Sequence, residues 1–95
     1  MKCTSLTEVR TQIDALDKQL IALLAKRQGY VTQAAGFKTD AAAVPAPERA
    51  AAVIEQAKTE ARLVGASPEV VEAVYRAMIG AFIAYEHELL ARRSV

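Results

Sequence analysis

Apolar residues recur along the first third of the chain at Leu6, Val9, Ile13, Leu16, Leu20 and Leu23, in alternating steps of three and four. Tyr30, Ala34 and Phe37 continue the stripe. That spacing keeps one face of an α-helix apolar. Ser5-Leu6-Thr7-Glu8 opens it as a capping box, the Ser5 hydroxyl serving the Glu8 amide while the Glu8 side chain reaches back. No proline interrupts before Pro45, and Gly29 and Gly36 are tolerable costs. The pattern predicts a helix from about Ser5 to about Lys38, roughly 50 Å long at 1.5 Å per residue. A compact chain of this size has a diameter of roughly 30 Å. The helix therefore overshoots its own domain, and a stripe over its whole length argues that a partner covers the excess.

Two further helices are expected. Thr39 to Pro47 is a connector whose Pro45 and Pro47 resist helix continuation, with Pro47 suited to the first turn of the next helix. Ala51, Val53, Ile54, Ala57 and Ala61 give that helix its apolar face, and Gly65 is placed to end it. Ser67-Pro68-Glu69 restarts the chain with an N-cap, a proline in the first turn and an acid near the positive dipole end. Val71, Val74, Met78, Phe82, Tyr85 and Leu89 then recur at helical spacing to about Arg92. There is no strand pattern and no internal repeat. The expectation is an all-α fold of three helices, long, short and long, in a single domain spanning residues 1–95.

Composition narrows the function. Apolar residues make up 53% of the chain and aromatics only 5%, which suits closely packed helices better than a β-sandwich. Twelve basic against eleven acidic residues leave a net charge of +1, no footprint for nucleic acid. The one cysteine, Cys3, and the one histidine, His87, cannot build a metal cluster, and neither is assigned a role. No apolar run reaches membrane-spanning length and the N-terminus does not read as a signal sequence, so a cytoplasmic protein without metal or cofactor is expected.

Several cations are oddly placed. Arg27 follows Leu23 by four and precedes Tyr30 by three, so it sits on the apolar seam of the first helix. Read alone, it snorkels outward or pairs with an acid for structure. Arg10 flanks the same seam and, read alone, is a surface arginine with Asp14 four residues on. Lys38 closes the helix, where a cation favours the dipole, whereas Arg49 stands in a first turn, where a cation is mildly unfavourable. Together they suggest a site for a multiply anionic ligand, since guanidinium forks match carboxylates. There is no nucleophile–base pair and no Gly-rich phosphate loop. Chemistry at such a site proceeds by positioning and electrostatics.

These residues resemble the all-helical chorismate mutases. The resemblance rests on Val9-Arg10-Thr11-Gln12-Ile13-Asp14 with Leu16-Asp17, on Leu23-Leu24-Ala25-Lys26-Arg27, on Phe37-Lys38, on Pro47-Glu48-Arg49 and on Phe82-Ile83-Ala84-Tyr85-Glu86. It covers nearly the whole chain in order. The stretch from Phe37 to Arg49 looks most like the isochorismate-pyruvate lyase branch of that fold. The resemblance implies an intertwined homodimer in which two long first helices cross-pack. It also implies a small dianionic substrate, with Arg27 and Arg49 of one protomer gripping its carboxylates and Arg10 entering from the other. Lys38 would reach a carboxylate and the ether oxygen whose bond breaks. Glu86 stands where many members carry a glutamine that donates to that oxygen, and Ile79, Ile83 and Val53 would form apolar walls.

The implied reaction is the pericyclic rearrangement of chorismate to prephenate, with salicylate-forming isochorismate-pyruvate lysis as the alternative. Two departures bear on that choice. Glu86 donates only when protonated, a state that burial favours and Lys38 opposes. Ala46 and Ala50 flank Arg49 where mutase members often place acids for the ring hydroxyl, leaving only Glu48 nearby, which weakens the case for chorismate and admits isochorismate. A non-enzymatic helical dimerisation module, with structural arginines, is the competing reading of another class.

Overall fold

The computed structural model describes residues 2–93. It contains three α-helices, α1 (Leu6–Gly36), α2 (Pro47–Val64) and α3 (Pro68–Arg93), with a short 3-10 turn over Ala41–Ala43 between the first two. No strand occurs among the described residues. The all-α, long–short–long expectation holds. The chain divides into two units, Met1–Tyr30 and Val31–Val95, and α1 runs through the division.

The first unit is built from local rules. Ser5 caps α1, its Oγ accepting from the Glu8 amide at 3.1 Å. The Glu8 carboxylate does not return to Ser5 as a reciprocal box would have it. It accepts instead from the Thr4 amide at 2.7 Å and the Thr4 hydroxyl at 3.0 Å, one residue further out. These bonds, the amide's foremost, hold the Glu8 carboxyl below its ordinary value of 4.5. The apolar stripe is present and exposed: Leu16, Leu20 and Leu23 keep 60%, 55% and 60% of their surface.

The second unit closes on itself. α2 and α3 pack together as a helical hairpin. Gly65 ends α2 in the left-handed conformation at φ 79°, where a side chain would be strained, and its amide returns to the Ala61 carbonyl. Pro68 begins α3 behind Ser67, whose Oγ accepts from the Val70 amide at 3.3 Å. Ala35, Val44, Ile54 and Ala61 are buried, and Glu86 is the buried charged residue among those described. Across the hairpin, Lys58 reaches Glu72 at 3.2 Å while Arg76 holds the same carboxylate at 2.8 Å. The Thr32 and Tyr85 hydroxyls meet at 3.0 Å, tying the last turns of α1 to α3.

Helix ends differ slightly from expectation. α1 stops at Gly36, short of Lys38, and α3 continues to Arg93. Val74, expected on the packed face of α3, is 55% exposed.

Candidate active site

Beyond Gly36 the chain leaves α1 through two tightened bonds, from the Phe37 amide to the Ala34 carbonyl and from the Lys38 amide to the Ala35 carbonyl, both 3.1 Å. Gly36 is not left-handed, so no glycine cap turns the chain here. Asp40 then organises the connector. Its Oδ1 accepts from the Ala43 amide at 3.1 Å and fixes the 3-10 turn, which delivers Val44 into the interior at 2% exposure.

That turn brings a carbonyl to Lys38. The Lys38 ammonium donates to Val44 O at 3.2 Å and to Glu86 Oε2 at 2.7 Å. The ion pair is largely buried, with 23% of the Lys38 side chain and 9% of the Glu86 side chain exposed. Two charges taken out of water at this distance hold each other firmly, and removing either leaves the other stranded. Lys38 was expected to serve the helix dipole with its own charge. Its ammonium turns to Glu86 instead, and Arg93 takes the helix end, Nη2 donating to the Ala35 and Lys38 carbonyls at 3.1 and 3.3 Å. An open cavity of about 450 Å³ lies alongside, lined by Gly36, Lys38, Thr39, Leu90 and Arg93.

Of the residues expected at a site, Lys38 and Glu86 are joined directly. Ile83 and Ile79 lie three and seven residues before Glu86, on the same side of α3, and both are half-buried. Val53 is half-buried on α2, one turn after the exposed Arg49. Among the described residues Arg49 makes no ion pair or side-chain hydrogen bond, and neither does Arg10, so the Asp14 pairing considered for Arg10 is not formed. Arg10 and Arg27 both lie in the first unit, Arg10 exposed and Arg27 half-buried. Asp40, Val44 and Arg93 were not singled out from sequence. Asp40 carried a signal, an aspartate opening a turn ahead of alanines; the other two carried none. Among the described residues no cluster of His, Cys, Asp and Glu could hold a metal ion, and no helix is long and apolar enough to cross a membrane.

Residues 9–87 match the family described as chorismate mutase type II. The chain belongs to that family. Its relatives include the isochorismate pyruvate lyase of Pseudomonas aeruginosa, 37% identical over 82 residues that cover 86% of this chain and 81% of that protein. The T-protein of Haemophilus influenzae is 34% identical over 85 residues, covering 88% of this chain. That of Enterobacter agglomerans is 38% identical over 72 residues, covering 75% of it. The chain spans only 22% and 19% of those two longer proteins. Chorismate mutase type II proteins are enzymes acting on a small substrate.

Proposed function

We propose that this member of the family is a chorismate mutase, converting chorismate to prephenate in a homodimer, with residues 1–95 of each protomer forming one catalytic domain. The observation that carries the reading is the buried Lys38–Glu86 pair, an ammonium held at 2.7 Å in a chain whose sequence matches the family over residues 9–87. In the rearrangement the ether C–O bond breaks as a new C–C bond forms, and no proton is gained or lost. The residues then need only hold the compact conformer and stabilise negative charge gathering on the ether oxygen. Arg49, which pairs with no carboxylate among the described residues, and Arg27 bind the two substrate carboxylates, while Arg10 comes from the partner subunit. Lys38 donates to a carboxylate and to the ether oxygen. Ile79, Ile83 and Val53 wall the ring.

Glu86 has two roles open to it. As a carboxylate it holds the Lys38 ammonium in place; as an acid it donates to the ether oxygen itself. A donor role makes activity fall as pH rises, and Glu86→Gln flattens that slope. A profile that Glu86→Gln leaves unchanged removes the donor role.

A specific observation favours isochorismate-pyruvate lysis as a second reading. Ala46 and Ala50 provide no acid for a ring hydroxyl, leaving only Glu48 near Arg49, and the Pseudomonas relative named for that reaction matches over most of both chains. The test is an ultraviolet assay of the purified protein with chorismate and with isochorismate from pH 5 to 8. Prephenate from chorismate establishes the mutase. Pyruvate from isochorismate at much higher kcat/KM moves the protein to the lyase, and no turnover of either defeats both.

The dimer is supported by the exposed stripe on α1. Each leucine there gains on the order of 1–2 kcal/mol on being covered, given that part of its surface is already shielded in the helix.

A further inference from the structure

We infer that Arg93, at the far end of α3, is a positioning residue for Lys38, clamping its backbone while Glu86 grips its ammonium. The inference rests on the reading of Lys38 as the group that meets the substrate. Glu86 and Arg93 are seven residues apart, two helical turns, so they stand on one face of α3 roughly 10 Å apart along its axis. Lys38 lies across that face and is held at both ends. Its ammonium is on Glu86 Oε2 at 2.7 Å, and its carbonyl is on Arg93 Nη2 at 3.3 Å. The same guanidinium nitrogen donates to Ala35 O at 3.1 Å, and Ala35 O also receives the Lys38 amide at 3.1 Å. Arg93 therefore touches both sides of the Lys38 peptide frame.

Nothing else in the second unit duplicates this hold among the described residues. The last turn of α1 has no basic residue of its own. Gly36 makes no left-handed cap, so among the described residues the backbone at the helix exit is otherwise tied by the bare 3-10 bonds. A guanidinium on carbonyls at a helix C-terminus is favourable by both charge and hydrogen bonding. Neighbouring Arg92 is engaged with Glu88 at 3.2 Å on its own helix, leaving the carbonyls to Arg93. Among the described residues Arg93 has no carboxylate partner; its donors go to backbone more than fifty residues earlier in the chain.

The test compares Arg93→Met, which keeps the apolar stem and removes the donors, with Arg93→Lys, which keeps a cation able to reach one carbonyl. Turnover is measured on chorismate and isochorismate, and amide hydrogen exchange is followed at Phe37 and Lys38. The expected result for Arg93→Met is a fall in kcat on the order of tenfold to a hundredfold, larger than any change in KM. Exchange at Lys38 should be faster, with helicity retained, and Arg93→Lys should recover part of both effects. A folded Arg93→Met protein with unchanged kcat overturns the positioning role. If the wild-type chain turns over neither substrate, the functional reading has failed on its own account. Exchange then decides the clamp: an unaltered rate at Lys38 in Arg93→Met overturns it.

Discussion

The two units of this chain reach order by opposite routes. Residues 6–30 lie in a helix specified by neighbours in sequence: a serine cap, a glutamate folded back onto Thr4, a run without proline. Yet Leu6, Ile13, Leu16, Leu20, Ile21 and Leu23 all remain exposed. Residues 31–93 are fastened by contacts between distant positions, such as Thr32–Tyr85, Lys38–Glu86 and Arg93–Lys38. Local rules suffice to make a helix but contribute little to keeping it, since most helical stability comes from burying an apolar face. The first unit has the pattern of a stable element without the burial, and the second has the burial.

The comparison can be broken at several points. The largest effect should follow Leu16→Asp with Leu20→Asp, which places two charges where a partner is proposed to pack. Sedimentation should show loss of the dimer, and the concentration dependence of Tm should vanish with it. A wild-type chain that sediments as a monomer would defeat the idea at once. Next, Lys38→Ala in the second unit should lower kcat by about a hundredfold to a thousandfold, the scale for losing one donor to a developing oxyanion. Sedimentation should be unchanged, which separates the chemistry of one unit from the assembly role of the other. Smaller again, Gly65→Ala forces a side chain into the left-handed cap and should cost about 1 kcal/mol, read by urea unfolding.

The smallest effect concerns pH. The Glu72 carboxyl is held below its ordinary value of 4.5, by Arg76 first and Lys58 second. A carboxyl depressed in the folded state adds stability that is present above its unfolded value and lost as pH falls through the folded one. Tm should therefore decline below about pH 4.5, and Glu72→Gln should remove part of that decline. Glu8 and Glu69 are depressed in the same direction, Glu8 chiefly by the Thr4 amide and Glu69 chiefly by its own amide. They contribute to the same acid limb.

What was legible in the sequence follows the same division. The three helices, the Ser5 and Gly65 ends and the proline starts are local signals, and they appear within a residue or two of expectation. Lys38 and Glu86 stood out because charges at those positions break the apolar pattern or match a family motif. Val44 and Arg93 were invisible for one physical reason. Each acts through bonds to or from backbone carbonyls, groups that every residue carries, so the partner leaves no mark in the side-chain pattern. The exposed state of the α1 stripe was likewise not written in its spacing, because periodicity says which face is apolar and not what lies against it.

Glu72 carries a different consequence. One carboxylate answers to two bases, Lys58 from α2 and Arg76 from its own helix. Loss of either base leaves the acid with a companion, so each single replacement is muted and only the double replacement uncovers the full penalty. Loss of the acid leaves Arg76 without its partner and Lys58 with only the longer Glu55 contact at 3.4 Å. The hairpin thus holds two expendable positions and one that is not, and the effect of a change at Lys58 depends on whether Arg76 is still there to cover for it.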